Sequence, residues 1–327
     1  MKKIFSIICA ALVLLSGCQP TPKRYSAVYT DVFDTMTEFT AYCGSQEEFD
    51  KLSDAAHGEL LRLHKIFDIY NPYDGVANTY LLNSAEDGTA VEVAPELLEL
   101  IASAKEWYEL TGGRLNAAMG SVLSLWHDCR EAGVLPDTDE LKRRAGHCDF
   151  GDVVIESGTV ILNDPELSLD FGAFAKGYAA EKTAQLLEDM GCENFVLSVG
   201  GNVVTRGEKD TGKWQIGVEN PDGGILTAVK ISDAAIVTSG DYQRYFEADG
   251  VRYHHIIDPE TLYPASLWRS VTIICGDSGT ADALSTALFC MPLEEGKALL
   301  ERFGAEALWV DANGGVTRTE GFNSYEE

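Results

Sequence analysis

This sequence has few basic residues. Its 327 residues contain 25 Lys and Arg against 52 Asp and Glu, which gives a formal net charge of −27 at pH 7. Because nucleic-acid binding needs a basic surface that neutralises phosphates, we expect no nucleic-acid partner. The same imbalance means that a phosphate-bearing ligand would need local cations or a metal ion to offset repulsion.

The sequence also lacks a long hydrophobic run at its start. The apolar run at residues 4–15 follows two lysines and is shorter than the roughly 20 residues of a membrane-spanning helix. It ends in Leu15-Ser16-Gly17-Cys18, which is similar to the lipobox of bacterial lipoproteins. We therefore expect a signal peptide at residues 1–17, lipidation of Cys18 and a tether at 18–27. The protein would be exported and anchored on the outer face of the cytoplasmic membrane or on the periplasmic side. An ordinary signal peptide with an incidental cysteine is the alternative.

Closely spaced cysteine pairs are missing as well. No CxxC motif occurs, so a zinc or thiol redox site is not indicated. Cys275 and Cys290 lie in apolar runs and are expected to be core thiols. A disulfide between Cys129 and Cys148 stays open, since an oxidising compartment would permit it. GxGxxG, P-loop, HExxH and GxSxG motifs are absent too, so common nucleotide-binding, metalloprotease and serine-hydrolase sites are not indicated.

Hydrophobic periodicity predicts helices and strands that alternate without a steady βαβ rhythm. A capping box of Ser45 and Glu48 opens the first helix. The predicted helices cover residues 45–70, 95–110, 173–190, 280–291 and 293–303. The predicted strands cover residues 25–39, 167–171, 195–199, 214–218, 228–237 and 270–275, with hairpins at 153–162 and 307–319. Residues 128–147 are charged and are expected to be irregular. The fold class is therefore α/β (mixed α+β), with largely antiparallel sheets and packed helices.

Two stretches suggest a site for a phosphate and a hard cation. Asp170 and Lys176 flank a predicted strand-to-helix transition, and a helix N-terminus favours anions. Asp282 and Thr286 are four residues apart on a predicted helix, so their oxygens share one face and form a half-site of the Mg²⁺ type. Each feature alone also fits a purely structural interpretation without a ligand. The first could be a glycine-rich turn, and the second could be a solvated helix face.

A third stretch, residues 253–264, concentrates two imidazoles, a carboxylate and two prolines. Asp258-Pro259 predicts a strand end that enters a tight turn. Ile256 is expected to be buried, and His255 is expected at the mouth of the turn. A turn with a structural histidine is the alternative.

Taken in order along the chain, these and other short runs resemble the ApbE family of FAD:protein FMN transferases. The runs are Asp34-Thr35-Met36-Thr37, Phe67-Asp68-x-Tyr70 with Asn83, Asn116-x-x-x-Gly120 with Leu125-Trp126, and residues 169–178, 198–202, 238–242, 255–261 and 281–287. The resemblance covers residues 28–322, which would form one ApbE-like domain, followed by a C-terminal tail at 323–327.

The resemblance implies a role for each site. His255 would be the base for the acceptor hydroxyl, and the Ala173 carbonyl, the Asp282 carboxylate and the Thr286 hydroxyl would hold Mg²⁺. The FAD contacts would be Met36, Tyr70 (stacked on the isoalloxazine), Ala117, Ala118, Met119, Asp170 (on the adenosine part), Lys176 and Ile256.

The implied reaction transfers FMN from FAD to a Thr or Ser hydroxyl of an acceptor flavoprotein and releases AMP, with Mg²⁺ as cofactor. The acceptor would be a membrane redox subunit or an extracytosolic flavoprotein that carries a Thr-containing flavinylation motif. Two alternatives share these residues: a Mg²⁺-dependent FAD pyrophosphatase, and a non-catalytic flavin-binding lipoprotein.

The sequence departs from the family pattern at three places. Leu262 stands where the family usually has glycine, so a turn that needs a positive φ there would be strained. Residues 116–121 replace a usual Asn-Pro-Thr-x-Gly-Pro, and residues 74–77 lack a usual serine. We expect these changes to affect fine specificity more than the class of activity.

Overall fold

The computed structural model describes residues 21–326. The predicted signal peptide, Cys18 and the first residues of the predicted tether lie outside the described residues. Within residues 21–326, no helix combines the length and the apolar character that crossing a membrane requires.

In the described part of the chain, the strands form one large sheet and three small ones. In chain order they are β1 (Lys23–Val32), β2 (Thr35–Cys43), β3 (Val91–Glu92), β4 (Val153–Glu156), β5 (Thr159–Leu162), β6 (Phe195–Val199), β7 (Asn202–Arg206), β8 (Trp214–Glu219), β9 (Ile225–Ile231), β10 (Ala234–Gly240), β11 (Tyr245–Ala248), β12 (Val251–His254), β13 (Trp268–Cys275), β14 (Glu306–Asp311) and β15 (Val316–Arg318). The large sheet has the order β1-β2-β6-β7-β10-β13-β14-β15, and its neighbouring strands are antiparallel. The expected mixed α/β fold with antiparallel sheets is confirmed.

The helices pack mainly on one face of this sheet. They are α1 (Gln46–Phe67), α2 (Thr79–Asn83), α3 (Pro95–Leu110), α4 (Gly120–Ala132), α5 (Thr138–Ala145), α6 (Ala175–Asp189), α7 (Ser278–Phe289), α8 (Leu293–Glu301) and α9 (Asn323–Glu326). Helix α6 lies between α1 and α7, and α7 lies on β10 and β13. The other face is partly covered by the β8–β9 hairpin and α9.

Alternating side chains explain why the central strands have two buried faces. On β13, Ile273 belongs to the core under the helices, whereas its neighbour Ile274 belongs to the core under the β8–β9 hairpin. On β14, Trp309 and Leu308 divide in the same way. Successive side chains of a strand point to opposite faces, so apolar residues at both positions require a cover on each face.

The predicted capping box forms at the start of α1. The Ser45 hydroxyl accepts the Glu48 N–H at 3.1 Å, and the Glu48 carboxylate accepts the N–H of Gly44 at 2.8 Å. Both bonds satisfy backbone donors near the start of the helix. The Glu48 side chain accepts from Gly44, the residue before the N-cap Ser45, rather than from Ser45 itself.

Two of the predicted strands are each divided by a tight turn. Residues 25–39 belong to β1 and β2, since Phe33 and Asp34 adopt positive φ angles of 54° and 49°. Residues 228–237 belong to β9 and β10, with the turn at Asp233 (φ 51°). The prediction of single strands was wrong because the apolar pattern runs on across both turns. Aspartate enters the left-handed region more readily than most residues do.

The prediction that residues 128–147 are irregular was also wrong. Helix α4 continues to Ala132, and α5 begins after Asp137, whose carboxylate accepts two backbone N–H groups of the first turn. Leu141 is the buried residue of α5. One buried apolar residue in a short charged helix gives almost no periodic signal, which explains the error. The predicted strand at 167–171 is instead an extended segment, joined to Met119 by one parallel bridge.

The cysteines of residues 21–326 are free thiols. Cys129 and Cys148 are therefore not bridged, and the Cys148 thiol donates to the Arg144 carbonyl at 3.4 Å. Cys275 and Cys290 are buried, as predicted for core thiols.

Candidate active site

A cavity of about 810 Å³ opens where several chain segments converge. Its walls come from the start of β2, the β6–β7 turn, the end of β10, the N-terminus of α6, one face of α4 and one face of α7. The segment that follows β12 closes one side. Strand ends and helix ends that are distant in sequence therefore meet at one place.

The cavity brings together nearly all the residues that the sequence predicted for the site. Its lining includes Met36, Tyr70, Ala117, Met119, Asp170, Ala173, Lys176, His255, Ile256, Asp282 and Thr286. Ala118 is the exception. It is fully buried outside the lining, and its N–H donates to the Asn116 side-chain oxygen at 2.8 Å.

Asp282 is a buried carboxylate held at the N-terminus of α6. Only 4% of the residue is exposed, and its Oδ2 accepts the Gly177 N–H at 2.8 Å. The Lys176 Nζ lies 3.8 Å from the same oxygen. Burial raises the pKa of Asp282, whereas Lys176 and the Gly177 N–H oppose that shift. The helix N-terminus that was predicted to bind phosphate thus binds the Asp282 side chain through this N–H.

Thr286 lies one helical turn beyond Asp282 and belongs to a hydroxyl network. The Ser239 hydroxyl lies 2.8 Å from that of Ser285 and 3.4 Å from that of Thr286. Ser285 in turn donates to the Asp282 carbonyl at 2.9 Å. Hydroxyls on β10 and α7 therefore contact one another beside Thr286, and both Ser239 and Thr286 line the cavity.

The donor set beside the cavity fits a hard cation that is shared with a phosphate ligand. Asp282 supplies a carboxylate, Thr286 a hydroxyl and Ala173 a backbone carbonyl, all in the lining. Asn202 adds a buried amide oxygen that has no hydrogen-bond partner within residues 21–326. Among residues 21–326, no group of three or more His, Cys, Asp or Glu side chains is placed to hold a metal. Mg²⁺ in proteins often binds to one or two carboxylates and to substrate phosphates.

Asp170 follows the extended segment that pairs with the start of α4. Its backbone N–H donates to the Ala117 carbonyl at 2.8 Å, and its carboxylate accepts the Gly172 N–H at 2.7 Å. Enclosure by the cavity walls raises the pKa of Asp170, although the Gly172 N–H and nearby cations oppose that shift. One carboxyl oxygen of Asp170 is therefore held by the Gly172 N–H, and the residue lines the cavity.

The two adjacent histidines have different environments. His254 is buried, and both of its ring nitrogens are used, by the Ala265 carbonyl at 2.8 Å and the Ile256 N–H at 3.2 Å. His255 is exposed to the cavity, and its backbone N–H donates to the Arg244 carbonyl at 3.1 Å. Enclosure in the cavity and the nearby cations lower the pKa of His255 to about 3. At neutral pH its imidazole is therefore unprotonated and can accept a proton.

The predicted tight turn forms after the histidines. The Leu262 N–H donates to the Asp258 carbonyl at 2.8 Å, and the Asp258 N–H donates to the Tyr263 carbonyl at 2.9 Å. Leu262 keeps the left-handed conformation, with φ 63°, although it is not glycine. The indole N–H of Trp126 donates to the Leu262 carbonyl at 2.9 Å, and this contact helps to hold the strained residue in place.

Large apolar side chains are exposed on the Met36 and Tyr70 side of the cavity. Met36 is 65% exposed and Tyr70 is 57% exposed. The position of Tyr70 is set by the buried Asp68 carboxylate, which accepts the Tyr70 N–H at 2.6 Å and the Tyr73 hydroxyl at 2.6 Å. The Asn71 side-chain amide adds a bond at 3.0 Å. An exposed ring on a rigid loop provides a platform for a flat ligand.

Several lining residues were missed by the sequence interpretation. They are Ser239, Asn202, Arg244, His127 and Arg130. His127 and Arg130 were missed because the helical period of α4 was not followed beyond Trp126. With Leu123 they recur at spacings of four and three on one helix face, which is a readable signal. Ser239 and Asn202 lie inside the short runs that resemble the ApbE family, but no function was predicted for either side chain.

Cationic and titratable groups are concentrated in the cavity. Four of the six histidines line it, namely His64, His127, His254 and His255. Its other basic residues are Arg114, Arg130, Lys176 and Arg244. The lining also holds five carboxylates, so the three arginines and Lys176 provide local cations for an anionic ligand without outnumbering the acidic groups.

Comparisons with known proteins agree with one another. The ApbE family model matches residues 33–309. The FAD:protein FMN transferase of Treponema pallidum is 38% identical over 70% of this chain and 69% of its own length. Its namesake from Vibrio cholerae is 29% identical over 98% and 95%, respectively. The crystal structure of the ApbE protein from Thermotoga maritima has a TM-score of 0.84 at 30% identity and covers 93% of this chain and 100% of its own. The chain belongs to the ApbE family.

Proposed function

We propose that this protein is an FAD:protein FMN transferase. It would move FMN from FAD to a Thr or Ser hydroxyl of an acceptor flavoprotein and release AMP, in a Mg²⁺-dependent reaction. The observation that carries the proposal is a single cavity of about 810 Å³ lined both by the exposed Tyr70 ring and by the Asp282–Thr286 oxygens. A ligand with an aromatic ring and a pyrophosphate fits that combination.

In the proposed reaction the acceptor hydroxyl oxygen forms a bond to the phosphorus of the FMN half. The P–O bond to the AMP half breaks, and AMP leaves with the bridging oxygen. His255 accepts the hydroxyl proton, which its unprotonated ring allows at neutral pH. A bound pyrophosphate would bring negative charge towards His255 and raise its pKa, which strengthens it as a base.

The remaining residues bind and orient. Asp282, Thr286 and the Ala173 carbonyl would hold Mg²⁺, which would neutralise part of the negative charge of the pyrophosphate. Lys176 adds a second positive charge beside the same carboxylate. The Tyr70 ring would stack on the isoalloxazine, and Asp170 would accept a hydrogen bond from the adenosine part. Holding both reacting oxygens in place supplies much of the acceleration in such transfers.

A transfer assay tests this proposal directly. Purified protein, FAD and Mg²⁺ are incubated with an acceptor domain that carries a Thr in an Asp-x-x-(Ser/Thr)-x-(Ala/Ser)-Thr context. Intact mass spectrometry should find the acceptor heavier by one FMN. Free FMN and AMP without an adduct would instead indicate the FAD pyrophosphatase. FAD that is bound but not cleaved would indicate a non-catalytic flavin-binding protein.

Variants of α7 and of the His255 turn sharpen the assay. Asp282→Asn should abolish transfer while the protein stays folded. Asp277→Asn is a matched control on the same helix, because its side-chain oxygen can still cap α7 by accepting the Thr280 N–H. His255→Ala should lose transfer but keep FAD binding. Undiminished transfer by Asp282→Asn would mean that the Asp282 carboxylate is not needed for the reaction.

We also propose export and lipid anchoring through Cys18, which would place the transferase beside extracytosolic acceptors. The lipobox-like Leu15-Ser16-Gly17-Cys18 supports this proposal. Cells fed a labelled fatty acid should label the wild-type protein but not Cys18→Ala. Equal labelling of both proteins would contradict it.

A further inference from the structure

The α4 wall of the cavity carries a basic pair that the proposed reaction leaves without a role. His127 and Arg130 both line the cavity, and the Arg130 Nη2 lies 2.8 Å from the His127 Nδ1. An arginine side chain can only donate, so the His127 Nδ1 accepts and the ring proton belongs on Nε2. The pair thus offers an imidazole N–H donor next to a guanidinium.

The charge of Arg130 is weakly compensated. Its nearest ion pair is with Glu131, at 4.0 Å, and that carboxylate is largely exposed. The Arg130 side chain itself is only 26% exposed. A partly buried guanidinium that has no closer carboxylate among residues 21–326 keeps donors available for a ligand acceptor.

The position of the pair identifies the part of the ligand that it would meet. The His127 ring lies 5.6 Å from the Tyr70 ring, centroid to centroid, at an angle of 41°. The Lys176 ammonium and the Asp282 carboxylate form a separate ion pair at the start of α6. Lys176 therefore lies beside the oxygen donors, whereas the His127–Arg130 pair lies beside the Tyr70 ring.

We propose that His127 and Arg130 bind the carbonyl edge of the flavin ring that stacks on Tyr70. The inference rests on the proposed function and adds a subsite to it. A flat heteroaromatic ring on Tyr70 would present carbonyl oxygens at its rim, and these oxygens need donors. The His127 N–H and the Arg130 guanidinium provide donors beside that platform.

Ligand fragments distinguish a ring subsite from a phosphate subsite. Protein freed of metal with EDTA, which prevents turnover, is titrated with riboflavin, FAD and ADP by fluorescence. Arg130→Met should weaken riboflavin and FAD binding by about 10-fold or more, as expected for the loss of a hydrogen bond from a charged donor. ADP affinity should change less than two-fold. His127→Phe keeps a ring against Tyr70 and should weaken riboflavin binding by about 3- to 10-fold.

The controls separate this inference from the proposed function. Arg143→Met removes an arginine on the neighbouring helix α5, outside the cavity, and should leave all three affinities unchanged. Arg130→Gln removes the positive charge but keeps a polar side chain, and it serves if Arg130→Met does not fold. Unchanged riboflavin affinity in the folded variants would overturn the inference, and so would an equal loss of ADP affinity. A wild-type protein that binds neither riboflavin nor FAD would overturn the proposed function as well.

Discussion

The backbone N–H of Gly177 donates to the Asp282 Oδ2 at 2.8 Å, and this bond joins α6 to α7 beside the cavity. The helices approach so closely that a Cβ on Gly177 would lie 2.5 Å from the Asp282 Cβ and still closer to the Ser278 carbonyl oxygen. Glycine is required at position 177 because a side chain there would prevent the close contact between α6 and α7. That contact positions the buried Asp282 carboxylate.

Gly177→Ala should therefore destabilise the protein by about 1–3 kcal/mol, since overpacking forces the two helices apart. The free energy of unfolding in urea measures this change. Gly58→Ala is the control at an exposed position of helix α1, where a Cβ meets no atom within 4 Å. That variant should gain roughly 0.5–1 kcal/mol. Equal effects of the two substitutions would contradict the close approach of α6 and α7.

Leu262 offers a test of backbone strain, because its φ of 63° lies in the left-handed region. Leu262→Gly and Leu262→Ala both remove a half-buried side chain, but only glycine relieves the strain. We expect the glycine variant to be more stable than the alanine variant by about 1 kcal/mol. This order is the reverse of the usual one, and thermal unfolding of the two proteins measures it. A more stable alanine variant would show that the turn relaxes.

Asp68 should contribute stability that is lost in acid. Its burial opposes ionisation, but the hydrogen bonds from Tyr73, Tyr70 and Asn71 outweigh it and hold the pKa of Asp68 below its usual range. Its contribution is therefore present above the unfolded pKa of about 3.9 and lost as pH falls through the folded value. Asp68→Asn leaves donors unsatisfied and should cost about 1–3 kcal/mol at neutral pH.

Urea unfolding of both proteins between pH 7 and pH 2 measures the Asp68 contribution. The stability difference between wild type and Asp68→Asn should shrink below about pH 4. A difference that does not depend on pH would mean that Asp68 does not act through its charge. Flavin binding should weaken in parallel, since Asp68 positions Tyr70.

His255 should remain unprotonated well below the usual histidine range, because its pKa is about 3. Its imidazole NMR signals, assigned by their loss in His255→Ala, should not move between pH 8 and pH 5. An unperturbed histidine titrates near pH 6.5 in that interval. Since the unfolded chain takes up this proton more readily, His255 should lower stability as pH falls from about 6.5 towards 3. A titration midpoint near pH 6.5 for His255 in the protein without FAD would contradict its enclosure beside nearby cations.

Addition of FAD in the presence of EDTA should move the His255 titration to higher pH, because the pyrophosphate charge stabilises the imidazolium. The same NMR signals report the shift. An unchanged titration in the FAD complex would mean that the ligand phosphates lie far from His255.

Several local features were predictable because a few neighbouring residues encode them. The helix Pro95–Leu110 has the predicted bounds, and the turn at Asp258 follows from Asp-Pro geometry. Asp282 and Thr286 share a helix face because four residues make about one turn. Residues 138–145 were not recognised as a helix, since their one buried residue, Leu141, gives no period.

The sequence by itself determined the antiparallel mixed fold, the helix that carries Asp282 and Thr286, and the set of residues that mark the family. The tertiary structure alone decided that the Gly177 N–H meets Asp282, that Ala118 is excluded from the cavity, and that His127 lies against Tyr70. The first group rests on periodicity and turn chemistry, which act over a few residues. The second depends on the sheet order, which pairs β2 with the distant β6 and gathers separate loops around one cavity.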